Sequence, residues 1–532
     1  MDRRSFIGLT GAGAVGAVVP GSKAFAESEA AHNPATQRTE QGKGSRPNIV
    51  IFMPDEMRAD SLACYGNPVT KTPNFDRLSH EGTRFANCHV QFPVCAASRC
   101  AMLTGWPTSV RGHRSLFYLL RPEEPNLFRY LRQAGYDVFW FGKNDALAAQ
   151  SFADSVTRWG ESRAGSGGES HDLTRGSYSM LYSPGGDRRH TKDYKHLQMA
   201  FDIFAQKERD RPFCVFLPLS QPHPPYTVPK DFYDLYSAKD IPSLPPPNLP
   251  GKPEFHKGMR SVYGLDKLSD ETFRKIRAVY YGQVSYSDWL LGELRESLEK
   301  NGIAQNTALF VTSDHGDYAG DYGLIEKWPS GLEDCLTHVP MIAKVPGGKD
   351  RVIAEDMVEM FDLMQTCGDL AGAAIDHTHF SRSLLSQIHG GSGDPQRAAF
   401  CEGGYNEYEP QCFEPGGAGG GMYRGKIQLQ NTETQSVGRS SMVRTKTHKL
   451  IIRSQGMQEL YDLSADPGET RNLIDQPTYS RVQSDLQTKL LRRYLNTTGI
   501  APMDKDPRDL PPFYPTRHDL PRAGWQQALL DT

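Results

Sequence analysis

Cys95-Ala96-Ala97-Ser98-Arg99 runs on through Cys100-Ala101-Met102-Leu103-Thr104-Gly105. A small residue stands two places after Cys95, an arginine four places after it, and a Leu-Thr-Gly turn closes the run. If Cys95 begins a helix, Arg99 lies one turn on along the same face, so a sulfur and a permanent cation share one spot. A buried core cysteine is an ordinary packing residue, but it does not require an arginine beside it. Asp55 and Glu56 form one acidic pair, and Asp314 and His315 another, in Thr312-Ser313-Asp314-His315-Gly316-Asp317. Three carboxylates and one imidazole make an oxygen-rich set, better suited to calcium or magnesium than to zinc. Lys143 in Gly142-Lys143-Asn144-Asp145, His223 in Gln221-Pro222-His223-Pro224-Pro225 and Lys327 in Glu326-Lys327-Trp328 add cations and proton donors. Displacement at a shielded, negatively charged centre needs these parts: positive groups on the oxygens, an activated nucleophile and a proton for the leaving group.

The elements that must position these groups can be read from apolar runs. Asn48-Ile49-Val50-Ile51-Phe52-Met53, bounded by Pro47 and Pro54, predicts a buried parallel strand. Tyr136 to Phe141, Phe213 to Leu219, Ala308 to Thr312 and Pro340 to Val345 predict four more. Thr72-Pro73 opens a helix that Gly82 ends. A long helix is expected from about Asp270 to Asn301, with Phe273, Ile276, Tyr280, Val284 and Leu291 on one face. Strands alternating with helices imply an α/β fold: a large mixed, mostly parallel sheet sandwiched by helices. Ligands of such sheets sit beyond the carboxyl ends of the strands. Asp55 and Glu56, Lys143, His223, and Asp314 with His315 each follow one of these strands.

After about Gly390 the texture changes. Gly416 to Gly421 is glycine-rich, Met442 to Arg453 predicts a hairpin turning near Thr447-His448-Lys449, Glu459 to Leu463 a strand, and Tyr479 to Leu495 a helix. The expected division is a catalytic α/β domain over 46–390, an antiparallel-sheet subdomain over 391–500 and a tail over 501–532. Ahead of these, Asp2-Arg3-Arg4-Ser5-Phe6-Ile7-Gly8, a weakly apolar segment and Ala24-Phe25-Ala26 read as a twin-arginine export signal over 1–26, followed by a polar linker over 27–45. That implies a periplasmic or secreted protein handled by the twin-arginine translocase. No later run is long and apolar enough to span a bilayer. The net charge of −3, with both signs dispersed, gives no basic stripe for nucleic acid. Nine cysteines leave at least one unpaired, for which Cys95 is the candidate; Cys401 and Cys412 are near enough in sequence to bridge a loop.

These segments, in this order over residues 46 to 480, resemble the formylglycine-dependent sulfatases of the alkaline phosphatase superfamily. Glu459-Leu460-Tyr461-Asp462-Leu463, Pro467 and Asn472-Leu473 resemble the close of that family's smaller subdomain. The resemblance implies that a maturation enzyme converts Cys95 to formylglycine, whose hydrate attacks sulfur and then expels sulfate. It implies one calcium ion held by Asp55, Glu56, Asp314, His315 and the modified Cys95. It gives Arg99 to the formylglycine hydrate, Lys143 and Lys327 to the sulfate, and His223 to the leaving oxygen. His223 and Lys327 are the candidate general acids. It implies a sulfated sugar or polysaccharide as substrate. Two positions depart from the family pattern: Glu56 stands where a second aspartate is commonest, and Asp145 where a histidine is usual. Glu56 keeps open a phosphonate monoester or phosphodiester hydrolase, and a sulfoglycan-binding protein with an inactive site is a further alternative. Tyr226, Phe232, Tyr233, Tyr236 and the run Gly403 to Glu409 could meet sugar rings or a quaternary ammonium, or serve loop packing.

Overall fold

The computed structural model describes residues 46–162, 184–206, 209–414 and 424–500. The expected export signal, linker and tail, and Gly416 to Gly421, lie outside the described residues. The large sheet contains β1 (Asn48–Asp55), β2 (Thr83–His89), β3 (Asp137–Phe141), β4 (Arg158–Gly160), β5 (Phe213–Pro222), β6 (Thr307–Thr312), β7 (His338–Val339), β8 (Met341–Lys344) and β9 (Val352–Glu359). Its order is β9-β2-β8-β6-β1-β5-β3-β4, with β7 paired to β2 off this path. The central strands β6, β1, β5, β3 and β4 are all parallel. β8 runs antiparallel to both its neighbours. Between β6 and β8 lie the short helix Asp334–Thr337 and β7, with no long crossover helix to turn the chain round.

Every residue of β1 is buried, and its side chains alternate between two layers. Val50 and Phe52 join a cluster with α1 (Pro73–His80), α4 (Lys192–Phe204) and α5 (Asp270–Lys300). Ile49, Ile51 and Met53 join the other, with α2 (Cys95–Thr104), α3 (Leu127–Gln133) and α6 (Asp362–Ala371). A strand buried on both faces explains the unbroken apolar run. The long α5 is capped by Ser269, whose hydroxyl accepts from Thr272 N–H, and all five residues assigned to its inner face are buried.

A second sheet of β10 (Ala399–Gly403), β11 (Ser440–Arg444), β12 (His448–Arg453) and β13 (Glu459–Asp462) is antiparallel throughout. Helix α7 (Ser480–Thr497) packs Leu486 and Leu490 onto its Val443, Leu450 and Leu460. The hairpin turn falls at residues 445–447, slightly earlier than expected, because Arg444 pairs with Lys449. All nine cysteines are free, so Cys401 and Cys412 do not bridge. No helix among the described residues is long and apolar enough to cross a membrane.

Candidate active site

Because β1, β3, β5 and β6 run parallel, their carboxyl ends open on one edge of the sheet, and the chemistry-bearing residues gather there. Asp55 is the last residue of β1. Glu56 follows in the left-handed region at φ 69°, which costs about 1–2 kcal/mol for a residue with a Cβ. Contacts hold it there: its N–H donates to Asp314 Oδ1 at 3.1 Å, and its carbonyl accepts from Tyr280 OH at 2.8 Å. Ser313 Oγ accepts from Met57 N–H at 2.8 Å and donates to the Pro54 carbonyl at 2.8 Å. The loops after β1 and β6 are therefore stitched together by backbone as well as side chain.

Cys95 is the first residue of α2, and Arg99 stands one turn inside. The Arg99 side chain is wholly buried and forks between the two acidic loops. Nη2 donates to Asp55 Oδ2 at 2.9 Å and Nε to Asp314 Oδ2 at 2.8 Å. Cys95 Sγ lies 3.1 Å from His315 Nε2, 3.6 Å from Asp55 Oδ1 and 3.6 Å from Lys143 Nζ. Lys143 reaches in from the end of β3 and donates to Asp55 Oδ2 at 2.8 Å. Gly142 at φ 138° makes this approach possible, since a Cβ there would meet the Pro218 carbonyl oxygen at 2.2 Å. Gly316 plays the same part behind His315, where a Cβ would lie 2.0 Å from the Cys335 carbonyl oxygen.

The opposite wall is built by Glu56, His223 and Lys327. Lys327 Nζ donates to Glu56 Oε2 at 2.8 Å and to His223 Nε2 at 2.8 Å. His223 Nε2 is 3.4 Å from Glu56 Oε2. With Nε2 accepting from an ammonium, His223 carries its proton on Nδ1, which faces the Pro224 carbonyl.

The electrostatics separate the two walls. Burial alone would raise the Asp55 carboxyl, but Lys143 and Arg99 hold it well below the ordinary range. Burial pushes Glu56 well above its ordinary value, and Lys327 does not offset it. Burial, then Asp55, pushes the Cys95 thiol up to about 12, so the unmodified side chain is a neutral thiol and a poor nucleophile at neutral pH. Burial and Lys327 drive His223 well below its ordinary value, so it is neutral.

Two carboxylates and an imidazole gather around Cys95 as possible donors to a divalent cation. Ligand atoms of Asp55, Cys95, Asp314 and His315 all lie within 4.8 Å of one another. Glu56 Oε1 is buried with no hydrogen-bond partner. Glu56 groups with Asp55 and His223 rather than with Asp314 and His315. The longer side chain has carried its carboxylate toward Lys327. All nine residues picked from the sequence thus converge on one pocket. Three further residues matter there. Tyr280 holds the Glu56 carbonyl, yet its place on the inner face of α5 reads only as core. Asp317 Oδ1 accepts from Tyr226 OH at 2.8 Å and from Glu326 N–H at 3.1 Å, setting the loop that carries Lys327. Asp145 Oδ2 stands 2.8 Å from Lys143 Nζ. Tyr226, Phe232, Tyr236 and Tyr405 are buried and pack in the core, whereas Tyr408 is exposed.

Residues 47–373 match the sulfatase family, and residues 428–495 match the C-terminal region of N-sulphoglucosamine sulphohydrolase. An arylsulfatase of Clostridium perfringens is 24% identical over 495 residues, covering 85% of this chain and 94% of its own. Among solved structures, the phosphonate monoester hydrolase of Agrobacterium radiobacter superposes with a TM-score of 0.68 at 21% identity, over 85% of this chain and 96% of its own. BT4656, solved with its substrate D-glucosamine-2-N,6-O-disulfate, superposes with a TM-score of 0.67 at 20% identity, over 87% of this chain and 100% of its own. These superpositions show the shared fold.

Proposed function

Because this chain belongs to the sulfatase family and is a sulfuric ester hydrolase, we propose that it is an exported enzyme that releases sulfate from sulfated sugars or polysaccharides, using a formylglycine made from Cys95. The observation that carries this reading is the setting of Cys95: a buried sulfur at a helix start, 3.1 Å from His315 and 3.6 Å from Lys143, with Arg99 locked behind it. As a thiol pushed up to about 12 by burial and Asp55 it is protonated at neutral pH and a weak nucleophile. As an aldehyde hydrate it would present two hydroxyls in the same place, one to attack sulfur and one to expel sulfate afterwards.

Asp55, Asp314, His315 and the modified residue 95 would hold one divalent ion, calcium by the hardness of the donors, with Glu56 at the margin of the set. Bound there, the ion would acidify a hydroxyl and neutralise charge on the substrate oxygens. Arg99 keeps Asp55 ionised and holds Asp55 and Asp314 correctly turned. Lys143 and Lys327 stand on two walls of the pocket and would each take a non-bridging oxygen. At the leaving side, His223 is neutral with Nε2 as acceptor, so the proton for the departing alkoxide resides on Lys327 and reaches the alkoxide directly or through His223.

The test is sulfate release from defined sulfated saccharides, before and after chelation. Activity that disappears on chelation and returns with calcium supports the reading; full activity without any divalent ion sinks the metal assignment. Mass spectrometry of the peptide holding Cys95 checks the modification, and an unconverted thiol throughout an active preparation defeats it. Because twin-arginine export moves folded proteins, conversion is expected before export, and a cytoplasmic precursor holding only thiol would contradict that order. A second reading, phosphonate monoester or phosphodiester hydrolysis, is favoured by Glu56, which turns to Lys327 rather than into the Asp55–Asp314–His315 set. Side-by-side rates on 4-nitrophenyl sulfate and 4-nitrophenyl phenylphosphonate decide between them.

A further inference from the structure

Most of the ring around Cys95 is sealed. The side chains of Asp55, Arg99, Asp314 and Glu56 have no exposure, and that of Lys327 only 4%. The opening runs from His223, whose side chain is 12% exposed, to Lys143 and Asp145, at 28% and 21%. An ester whose sulfate sits at Cys95, with its leaving oxygen toward His223, presents its alcohol portion to this mouth, along which Asp145 lies. Lys143 Nζ is shared: 2.8 Å from Asp55, 2.8 Å from Asp145 and 3.6 Å from Cys95 Sγ. One ammonium group therefore separates the Asp145 carboxylate from the reacting position.

As a structural ion pair Asp145 is redundant. Lys143 already has a fully buried partner in Asp55, and a half-open pair adds little stability. As a charge at the mouth it is not redundant. Arg99, Lys143 and Lys327 face Asp55, Glu56, Asp314 and Asp145, with Glu326 a further 3.6 Å from Lys327, so carboxyl groups outnumber cations in the ring. A single divalent ion leaves at most one net positive charge, which one sulfate monoester consumes. Nothing is left over for a second anion, and a carboxylate stands where that anion would come.

We infer that Asp145 is a specificity-determining residue: it selects sulfate esters whose alcohol portion bears a cationic or neutral group beside the ester, and rejects those bearing a second anion. The inference rests on the reading that the Cys95 pocket takes the sulfate. The substrate class it favours is a sulfated amino sugar with a free or acylated amine over its N-sulfated counterpart.

The test uses three ligands that share one ester and differ by one charge: glucosamine 6-sulfate, N-acetylglucosamine 6-sulfate and N-sulfoglucosamine 6-sulfate. Each is measured as a competitive inhibitor of 4-nitrophenyl sulfate hydrolysis, with the whole enzyme and with Asp145→Asn and Asp145→Glu. The wild type is expected to bind in the order amine, acetyl, N-sulfo, with roughly tenfold between the ends or more, as expected for unit charges a few ångström apart at a partly solvated site. Asp145→Asn should bring the three within about twofold, and Asp145→Glu should restore the order. A flat or reversed series in the wild type, or an unchanged series in Asp145→Asn, overturns the inference. If 4-nitrophenyl sulfate and all three sugars are left unhydrolysed, the sulfatase reading of the pocket fails instead; calorimetric dissociation constants for the same three ligands then judge Asp145 by the same order, and absent binding overturns it.

Discussion

Where β12 meets the loop between β6 and β8, Lys449 is fully buried between Asp334 at 2.5 Å and Glu469 at 2.6 Å. Beside it, Lys252 lies over the rings of Tyr322 and Tyr461, near Glu333 and Glu459. Arg453 pairs with Glu459 at 2.6 Å, and His256 with Glu333 at 2.8 Å. The pocket at the sheet edge buries a similar number of charges, but differently. At the junction, Lys252 and Lys449 hold Glu333 and Asp334 well below the ordinary carboxylate range, although burial pushes the other way. At the pocket, burial leaves Glu56 well above it. Burying charge is costly in both places. The junction recovers most of the cost with counter-charges of its own, Glu469 excepted, while the pocket does so for Asp55 but not for Glu56.

The comparison is broken or sharpened most by Cys95→Ala. Sulfate release should fall by about 10³-fold or more, with no loss of thermal stability, because the pocket is held by the Arg99 fork and not by the sulfur. A variant that keeps a tenth of the activity would deny Cys95 its place. Lys449→Met should show the mirror image. It strands Asp334 and Glu469 in the interior, at a cost of about 3–5 kcal/mol, seen as a lower melting temperature and faster proteolysis. Turnover per folded molecule should stay near wild type. A third variant, Lys327→Ala, tests whether the pocket really tolerates imbalance. Activity should drop about 10²-fold, while the melting temperature moves little, because Glu56 is already raised by burial and can take a proton once its partner is gone. Destabilisation as large as that of Lys449→Met would place Lys327 with the structural charges.

Much of this was legible in the sequence, and the reasons differ by element. β1, β3, β5 and β6 announce themselves because a strand covered on both faces needs an unbroken apolar run, and the groups that follow each of them fall on one edge once the strands are parallel. β2 and β9 give no such signal. Thr-Arg-Phe-Ala-Asn-Cys-His and Val-Ile-Ala-Glu-Asp-Met-Val-Glu carry polar residues at half-buried positions, where no continuous pattern forms. The reversed direction of β8 is invisible in its own residues, since direction is set by the connection before it. In the pocket, residue types were readable but their pairing was not. Glu56 reads as a metal ligand from its neighbour Asp55; only geometry shows it bound to Lys327, with Tyr280 hooking its carbonyl from a helix face that looks purely apolar.

The smallest effect belongs to Glu469, the junction member whose charge is least well matched. Burial pushes its carboxyl up to about 7, and Asp334 adds to the push, because Lys449 is shared between the two acids. In the unfolded chain the same group titrates near 4.5. Between these values the folded state holds a proton that the unfolded state has lost, so the associated stabilisation is complete below about pH 4.5 and disappears as pH rises through 7. The melting temperature should therefore fall by a few degrees from about pH 5.5 to about pH 8, after allowance for other groups. Glu469→Gln, fixed in the neutral state, should lose this component and show a shallower slope. Equal slopes in the two proteins would mean that Lys449 serves both acids fully, and that the junction has no mismatch at all.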